Sequence, residues 1–152
     1  MLIGIPSILG PELLATLRAM GHGDEIAIVD GNYPALEQAR RLVRADGHGL
    51  ISVLDAVLAV LPLDCAVPFA ILRTGWGNDS ALVSPIHDEI EAVTARRAPG
   101  HVVQPLGGEA FYARVRTCHT VIASSEPALY ANVILRKGVI APLEPPVTSR
   151  QA

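Results

Sequence analysis

The residues best suited to chemistry in this sequence are His22 and Asp30. His22 lies within the segment Gly21-His22-Gly23-Asp24, and Asp30 follows eight positions after it. Histidine both gives and takes a proton near neutral pH, and flanking glycines let a ligand approach closely. A carboxylate at position 30 can accept a hydrogen bond from a ligand hydroxyl. The alternative interpretation is a solvated histidine at a glycine-rich helix end and an aspartate that opens a turn.

A second polar group occurs near the C-terminus, in the segment Tyr130-Ala131-Asn132. The phenol and the carboxamide are two positions apart at the start of a predicted strand, and an extended backbone would direct both to the same side. Together they offer an apolar face and several hydrogen-bonding groups, which suits a polyol. Strand packing for Tyr130 and a turn for Asn132 are the alternative interpretation.

A single tryptophan lies in a polar loop, where Trp76 has Gly75 and Gly77 as neighbours. An indole in this setting can stack on the apolar face of a sugar, or it can pack on a neighbouring subunit. We expect Trp76 to border the ligand if the ligand is a sugar.

No cofactor or metal site is predicted. The sequence contains no GxGxxG, no P-loop and no GxSxG, which argues against dinucleotide, nucleoside triphosphate and esterase chemistry. Two groups of histidine and acidic residues can be considered as metal ligands, and neither has the spacing of a known metal site. These groups are His22, Asp24 and Asp30, and His87, Asp88 and Glu91.

The elements that position these residues alternate between helices and short apolar strands. This alternation predicts an α/β fold with helices on both faces of the sheet, and it places Asp30 at the carboxyl end of a strand, where ligand crevices form. Helices are predicted over 11–20, 34–43, 51–61 and 109–116. A further helix is predicted to begin at Ser84-Pro85 and to end at Pro99. Strands are predicted over 25–29, 65–72, 101–106, 120–123 and 132–135, and a loop over 74–84.

Composition limits the protein class and its partners. The 152 residues predict one domain over 1–141 and a loose proline-containing tail over 142–152. Only 18% of the residues are charged, against 50% that are hydrophobic, so some surface is expected to be buried against copies of the chain. A net charge of −3 argues against nucleic-acid binding.

The sequence also predicts a cytoplasmic protein without a membrane span. The N-terminal segment lacks a basic signal-peptide region, and Cys65 and Cys118 are expected to be buried free thiols in a reducing compartment. The most apolar stretch, 50–72, is too interrupted to cross a bilayer. The interruptions are Asp55, Pro62, Asp64 and Pro68.

Three segments together resemble the L-fucose mutarotase and D-ribose pyranase family (RbsD/FucU). They are PELLATLRAMGHGDEIAIVD, VRADG and AFYARVRTCHTVIASSEPALYANVILRKGV, and the resemblance runs over roughly 7–139. The fucose branch fits better than the ribose branch because PELL, GHGDE, RADG and AFY all resemble fucose-mutarotase segments. The resemblance implies a three-layer α/β/α sandwich, RbsD-like, in a ring-like pentamer or decamer with the sugar site at the subunit interface.

The resemblance also implies roles for individual residues. His22 matches the family's catalytic acid/base histidine, Asp30 its sugar-binding aspartate, and Tyr130, Ala131 and Asn132 a segment that contacts the sugar. Our hypothesis is that His22 protonates the ring oxygen, while Tyr130 or a bound water relays the second proton. This chemistry needs no cofactor.

The most informative departure from the family pattern is at position 108. Gly108 stands where relatives carry a basic residue that touches the sugar. Loss of a charge-assisted donor removes about 1.5–3 kcal/mol if nothing replaces it. The departure leaves the substrate, and activity itself, open.

Three functional hypotheses remain beside one another. The first is a mutarotase acting on a monosaccharide, L-fucose or a related aldose. The second is pyranose–furanose interconversion of ribose-like sugars, which uses the same apparatus. The third is a non-catalytic monosaccharide-binding protein linked to sugar transport or catabolism, which Gly108 favours. A metal-dependent enzyme built on His22 and Asp24 ranks below all three.

Overall fold

A six-stranded sheet lies between two layers of helices in the computed structural model, which describes residues 2–142. The helices in this range are α1 (Pro11–Ala19), α2 (Ala35–Gln38), α3 (Leu50–Leu58), α4 (Pro85–Arg97) and α5 (Gly108–Val115). The strands are β1 (Glu25–Val29), β2 (Leu42–Ala45), β3 (Ile71–Thr74), β4 (Val103–Leu106), β5 (Thr120–Ser124) and β6 (Val133–Arg136), and a 3₁₀ turn spans Trp76–Asn78. The predicted tail, 142–152, lies outside the described residues apart from Pro142.

The strand order is β2-β5-β1-β6-β3-β4, and β6 runs antiparallel to both of its neighbours while the other pairs are parallel. The five parallel strands therefore all end at one end of the sheet, which we call the carboxyl end, and β6 begins there. Ile28 pairs with Val133 across β1 and β6. This register brings the residue after β1, Asp30, next to the residue before β6, Asn132.

Each face of the sheet has its own hydrophobic core. Successive residues of a strand point to opposite faces. On one face Ile26 and Ile28 pack in a cluster with residues of α1, α3 and α4, and on the other Ala27 and Val29 pack in a cluster with Phe111 and residues of α2 and α5. The expected three-layer α/β/α sandwich is confirmed.

The prediction of one helix over 34–43 is wrong. Helix α2 covers only Ala35–Gln38, and the chain then enters β2. Val43 and Ala45 are buried while Arg44 between them is exposed, which is the two-residue period of a strand. Because β2 is an outer strand paired only with β5, its arginine-containing sequence resembles a solvated helix surface.

The predicted strand over 65–72 is also displaced. Strand β3 begins only at Ile71, and Pro68, which has no N–H to donate to a neighbouring strand, lies in the irregular segment before it. Cys65 in this segment is exposed, contrary to expectation, whereas Cys118 is buried as expected.

Helix α4 begins at Pro85, as the sequence predicts. The backbone N–H of Ser84 donates to Nδ1 of His87 at 3.1 Å, so the first turn of the helix is closed by a buried histidine ring. None of the helices within residues 2–142 is long and apolar enough to cross a membrane.

Candidate functional site

A buried carboxylate and a buried carboxamide form a reciprocal pair at the carboxyl end of the sheet. The backbone N–H of Asp30 donates to Oδ1 of Asn132 at 3.0 Å, and Nδ2 of Asn132 donates to Oδ2 of Asp30 at 3.1 Å. Asp30 Oδ1 accepts the N–H of Asn32 at 2.9 Å. Burial raises the pKa of Asp30, and the hydrogen bonds from Asn32 and Asn132 oppose that effect. The carboxylate is thus fixed in one orientation.

Tyr130 has a left-handed backbone, with φ of 59°. Its carbonyl oxygen accepts a hydrogen bond from Thr74 Oγ1 at 2.6 Å and lies 3.1 Å from Nε2 of His87. Because Nδ1 of that ring accepts the N–H of Ser84, we assign the proton to Nε2, which then donates to Tyr130. Two side chains from β3 and α4 therefore stabilise a conformation that is unfavourable for tyrosine.

The prediction that an extended strand directs Tyr130 and Asn132 to the same side is wrong, although both residues line the same cavity. The segment is a turn rather than an extended strand, and β6 begins only at Val133. Ala131 between them is fully buried, and its backbone stabilises the charged form of Asp30.

A cavity of about 180 Å³ lies in front of this pair. This volume is below the range of about 300–1,000 Å³ that is typical of pockets for drug-sized ligands. Most of the lining side chains can donate or accept hydrogen bonds. The lining residues are Asp30, Asn32, Tyr33, Thr74, Asn78, Tyr112, Leu129, Tyr130 and Asn132.

Two aromatic pairs flank the cavity. Trp76 contacts Tyr130 edge to face, with ring centroids 5.2 Å apart and planes at 69°. Trp76 is 41% exposed and is not one of the residues that line the cavity. On the other side Tyr33 and Tyr112 stack with centroids 4.9 Å apart. Burial raises the pKa of both tyrosines, so these phenols stay protonated over the physiological range.

The first residue of α5, Gly108, has no room for a side chain. A Cβ atom added to it would lie 2.3 Å from Cγ and Oδ1 of Asn78, which is closer than real Cβ contacts. Gly108 does not line the cavity, whereas Asn78 does. The space beside the glycine is therefore filled by an asparagine from the 3₁₀ turn.

His22 lies at the opposite end of the sheet, which we call the amino end, before β1. Its side chain is 52% exposed, and Nε2 lies 3.3 Å from Oδ2 of Asp64, which is buried. Asp64 also accepts hydrogen bonds from Arg136 Nε at 2.9 Å and from the N–H of Ala66 at 2.9 Å. The Ala66 N–H, Arg136 and His22 lower the pKa of Asp64, so this carboxyl is charged beside the imidazole.

Strand β1 separates the imidazole from Asp30. Its five residues span roughly 16 Å at about 3.3 Å per residue, so His22 and Asp30 of one chain do not meet. A cleft of about 640 Å³ near His22 is lined by Gly23, Glu25, Arg114 and Arg136 among others. Buried Glu25 accepts from Arg114 Nε at 2.6 Å, which makes the amino end strongly charged.

Neither of the two groups considered as metal ligands is assembled. His22 and Asp30 lie at opposite ends of β1, and both ring nitrogens of His87 face backbone groups. Within residues 2–142, no three side chains of His, Cys, Asp or Glu converge on one point.

Residues 3–140 of the chain match the family model of the RbsD / FucU transport protein family. The chain belongs to this family. It is 40% identical over 145 residues to the fucose mutarotase of Bos taurus, covering 91% of this chain and 94% of that protein. The fucose mutarotase of Streptococcus pneumoniae, solved with L-fucose, superposes with a TM-score of 0.85 at 36% identity, covering 92% and 100%. Bacillus subtilis RbsD, solved with D-ribose, shares the fold, with a TM-score of 0.70 at 18% identity, covering 88% and 95%.

The site of this RbsD/FucU protein contains residues that its sequence motifs did not single out. Asp30, Tyr130 and Asn132 come together as expected, whereas His22 is distant and neither Trp76 nor Gly108 lines the cavity. Tyr112 belongs to the AFY segment that carries the family resemblance, and Asn78 follows the Gly-Trp-Gly motif. The additional lining residues are Asn32, Tyr33, Thr74, Asn78, Tyr112 and Leu129.

Proposed function

We propose that this protein is a cofactor-independent mutarotase that interconverts the anomers of a monosaccharide, L-fucose or a related aldose. The observation that carries the proposal is the buried Asp30–Asn132 pair beside Tyr130, in a family whose members 36–40% identical to this chain are fucose mutarotases. A fixed carboxylate, an amide and a phenol offer the mixture of acceptors, donors and apolar surface that a sugar requires.

Mutarotation opens the sugar ring and closes it on the other face of the carbonyl. Opening removes a proton from the anomeric hydroxyl and delivers one to the ring oxygen, so an acid and a base suffice. We assign the acid to His22, whose Nε2 lies 3.3 Å from Oδ2 of Asp64 and whose side chain is half exposed. Asp30 and Asn132 bind hydroxyl groups, and Tyr130 or a bound water relays the second proton. Positioned proton transfer contributes about 10²–10⁴-fold.

Within one chain, His22 and the cavity lie at opposite ends of β1. We therefore propose that each complete site forms between two copies. His22 of one copy would face Asp30 and Tyr130 of the next, in a ring-like homo-oligomer, a pentamer or decamer. Leu129, an apolar lining residue of the cavity that is 49% exposed, supports this arrangement. We also propose a cytoplasmic location, which the free thiol of Cys118 favours.

A second candidate function is non-catalytic monosaccharide binding, which the missing side chain at Gly108 favours. Pyranose–furanose interconversion of ribose-like sugars is a further alternative, since both reactions pass through the open chain. Identity to RbsD is 18%, against 36% to the fucose mutarotase, which favours the fucose branch.

Exchange NMR of sugar anomers tests these proposals directly. The wild-type protein is expected to accelerate anomer exchange of L-fucose more than that of D-galactose or D-ribose. His22→Ala is expected to lose about 10²–10⁴-fold in rate. His48→Ala, at an exposed histidine outside the site, is the matched control and should keep wild-type activity. An unchanged rate in His22→Ala would remove His22 from the mechanism, and sugar binding without exchange would favour the binding protein.

A further inference from the structure

One wall of the cavity comes from the 3₁₀ turn Trp76–Asn78 rather than from the strands. Asn78 is the residue of that turn which lines the cavity, on the same surface as Asp30, Tyr130 and Asn132. Its backbone has a left-handed φ of 66°, a conformation that asparagine adopts more readily than other side-chain-bearing residues. The residue type thus matches the turn that presents it.

The side chain of Asn78 is exposed, packs against Gly108 and has its polar atoms available. The start of α5 approaches so closely that a Cβ on Gly108 would lie 2.3 Å from Cγ and Oδ1 of Asn78. The backbone N–H of Asn78 donates to the carbonyl of Gly75 at 3.3 Å. Within residues 2–142 the exposed carboxamide has no protein hydrogen-bond partner, which leaves one acceptor oxygen and two N–H donors for a ligand.

We propose that Asn78 contacts the sugar and sets the substrate specificity of this site. The inference rests on the proposed function, because it assumes that the cavity binds a monosaccharide. The carboxamide offers a neutral partner to a hydroxyl group opposite the Asp30 carboxylate. A site built to hydrogen-bond a hydroxyl discriminates strongly against analogues that lack it. The expected ligand is therefore a neutral monosaccharide with a hydroxyl group on the side that faces Asn78.

The same contact couples positions 78 and 108. A side chain at position 108 and the present side chain at position 78 occupy one space, so only one of them can provide the sugar contact. Gly108→Arg alone is expected to disrupt the wall. The double variant Asn78→Gly with Gly108→Arg frees the space and keeps a residue that tolerates the left-handed turn. It should recover stability relative to Gly108→Arg and change the sugar preference.

Two single variants test the contact without disturbing the backbone. Asn78→Gly retains the left-handed turn and removes the carboxamide, whereas Asn78→Asp keeps the shape but replaces the donor with a second carboxylate near Asp30. Both are expected to raise KM for the preferred sugar about two- to ten-fold, the range of one hydrogen bond, with kcat little changed. The preference for that sugar over its deoxy analogue should fall in parallel. Ser80→Ala, exposed in the same loop, is the matched control.

The outcomes separate the inference from the proposed function. Unchanged KM and sugar preference in Asn78→Gly and Asn78→Asp would overturn the inference, even if the melting temperature falls. If wild-type protein binds L-fucose without exchanging its anomers, the mutarotase proposal fails, and the Kd of the Asn78 variants, measured by calorimetry, decides the inference instead. Absence of both exchange and binding for every sugar tested would overturn both.

Discussion

The two ends of the sheet differ in chemistry as well as in position. At the carboxyl end, Asp30 and Asn132 are buried, hydrogen-bonded to each other and surrounded by neutral phenols and amides. At the amino end, His22 is half exposed beside a network of charged side chains that includes Asp64 and Arg136. The first end is suited to binding hydroxyl groups in one orientation, and the second to transferring a proton. Neither end alone contains both the Asp30–Asn132 pair and the imidazole.

The difference between the carboxyl end and the amino end has a physical basis. A sugar-binding carboxylate needs rigid partners, and β1 and β6 provide them because their hydrogen bonds continue into the Asp30–Asn132 pair. The acid recovers its proton when the ring closes, so His22 needs access to the sugar, and its partial exposure in one chain leaves it accessible to a second copy. If catalysis requires both, the reacting sugar must contact two copies of the chain.

The largest expected effect comes from mixing variants of the two ends. His22→Ala and Asp30→Ala homo-oligomers are each expected to lose about 10²-fold or more in anomer exchange. Oligomers that contain both variants should regain part of the activity, because some interfaces pair an intact His22 with an intact Asp30. Exchange NMR on refolded or co-expressed mixtures measures the recovery.

The control for this mixture uses two variants of the same end. Oligomers of Asp30→Ala with Asn132→Ala should stay as inactive as their parents, since each interface then lacks one member of the pair. Recovery in this control, or none in the His22–Asp30 mixture, would contradict a site shared between the two ends.

A smaller effect is expected at the amino end from Asp64→Asn. The amide keeps one acceptor oxygen, for the Ala66 N–H, and its NH2 group replaces the charged oxygen that faces Arg136 and the imidazole. Small misplacements of catalytic groups can cost up to about 10²-fold, so kcat should fall by about that much or less while KM stays nearly constant. Steady-state exchange kinetics measure both constants. Asp46→Asn, an exposed carboxylate paired with Arg44, is the control. A change in KM alone would assign Asp64 to the sugar instead.

Asp64→Asn also has a pH signature. The folded-state pKa of Asp64 lies below its unfolded value of about 4. The stability that this carboxylate contributes is present above pH about 4 and is lost as the pH falls through the lower folded-state pKa. The variant should therefore lose less stability than the wild type on acidification below pH 4. Denaturant unfolding at pH 4.5 and below about pH 3.5 compares the two.

The sequence predicted the carboxyl end better than the amino end. Strand β1 and the start of α4 were predictable because an uninterrupted apolar run and a Ser-Pro pair are local signals. Strand β2 was not, because pairing with β5 overrides the helix-like pattern of its arginines. The role of Asn78 was not predictable either. It depends on the distance between a turn and the start of α5, which are separated in sequence by about thirty residues, and no local motif encodes that distance.

The smallest activity effect is expected from His87→Ala, behind Tyr130. The ring is buried, and its loss removes the partner of the Ser84 N–H, which should cost about 1–3 kcal/mol in unfolding free energy. Tyr130 keeps the hydrogen bond from Thr74, so KM should rise only a few-fold, which anomer-exchange kinetics measure. A loss of kcat that exceeds the rise in KM would show that the carboxyl end of the sheet also takes part in proton transfer and is less distinct from the amino end than its chemistry indicates.

The pH dependence of stability identifies this histidine independently of activity. Burial lowers the pKa of His87 below its usual value, and the nearby charge of Arg73 acts in the same direction, against Asp88 and Glu91. The unfolded chain binds this proton below pH about 6.5, whereas the folded protein binds it only at lower pH. Wild-type stability should therefore fall as the pH drops from 7 to 5.5. His119, whose pKa burial also lowers, keeps its contribution in the variant. Urea unfolding of wild type and His87→Ala at both pH values should give a shallower loss in the variant, and equal losses would contradict a buried neutral ring behind Tyr130.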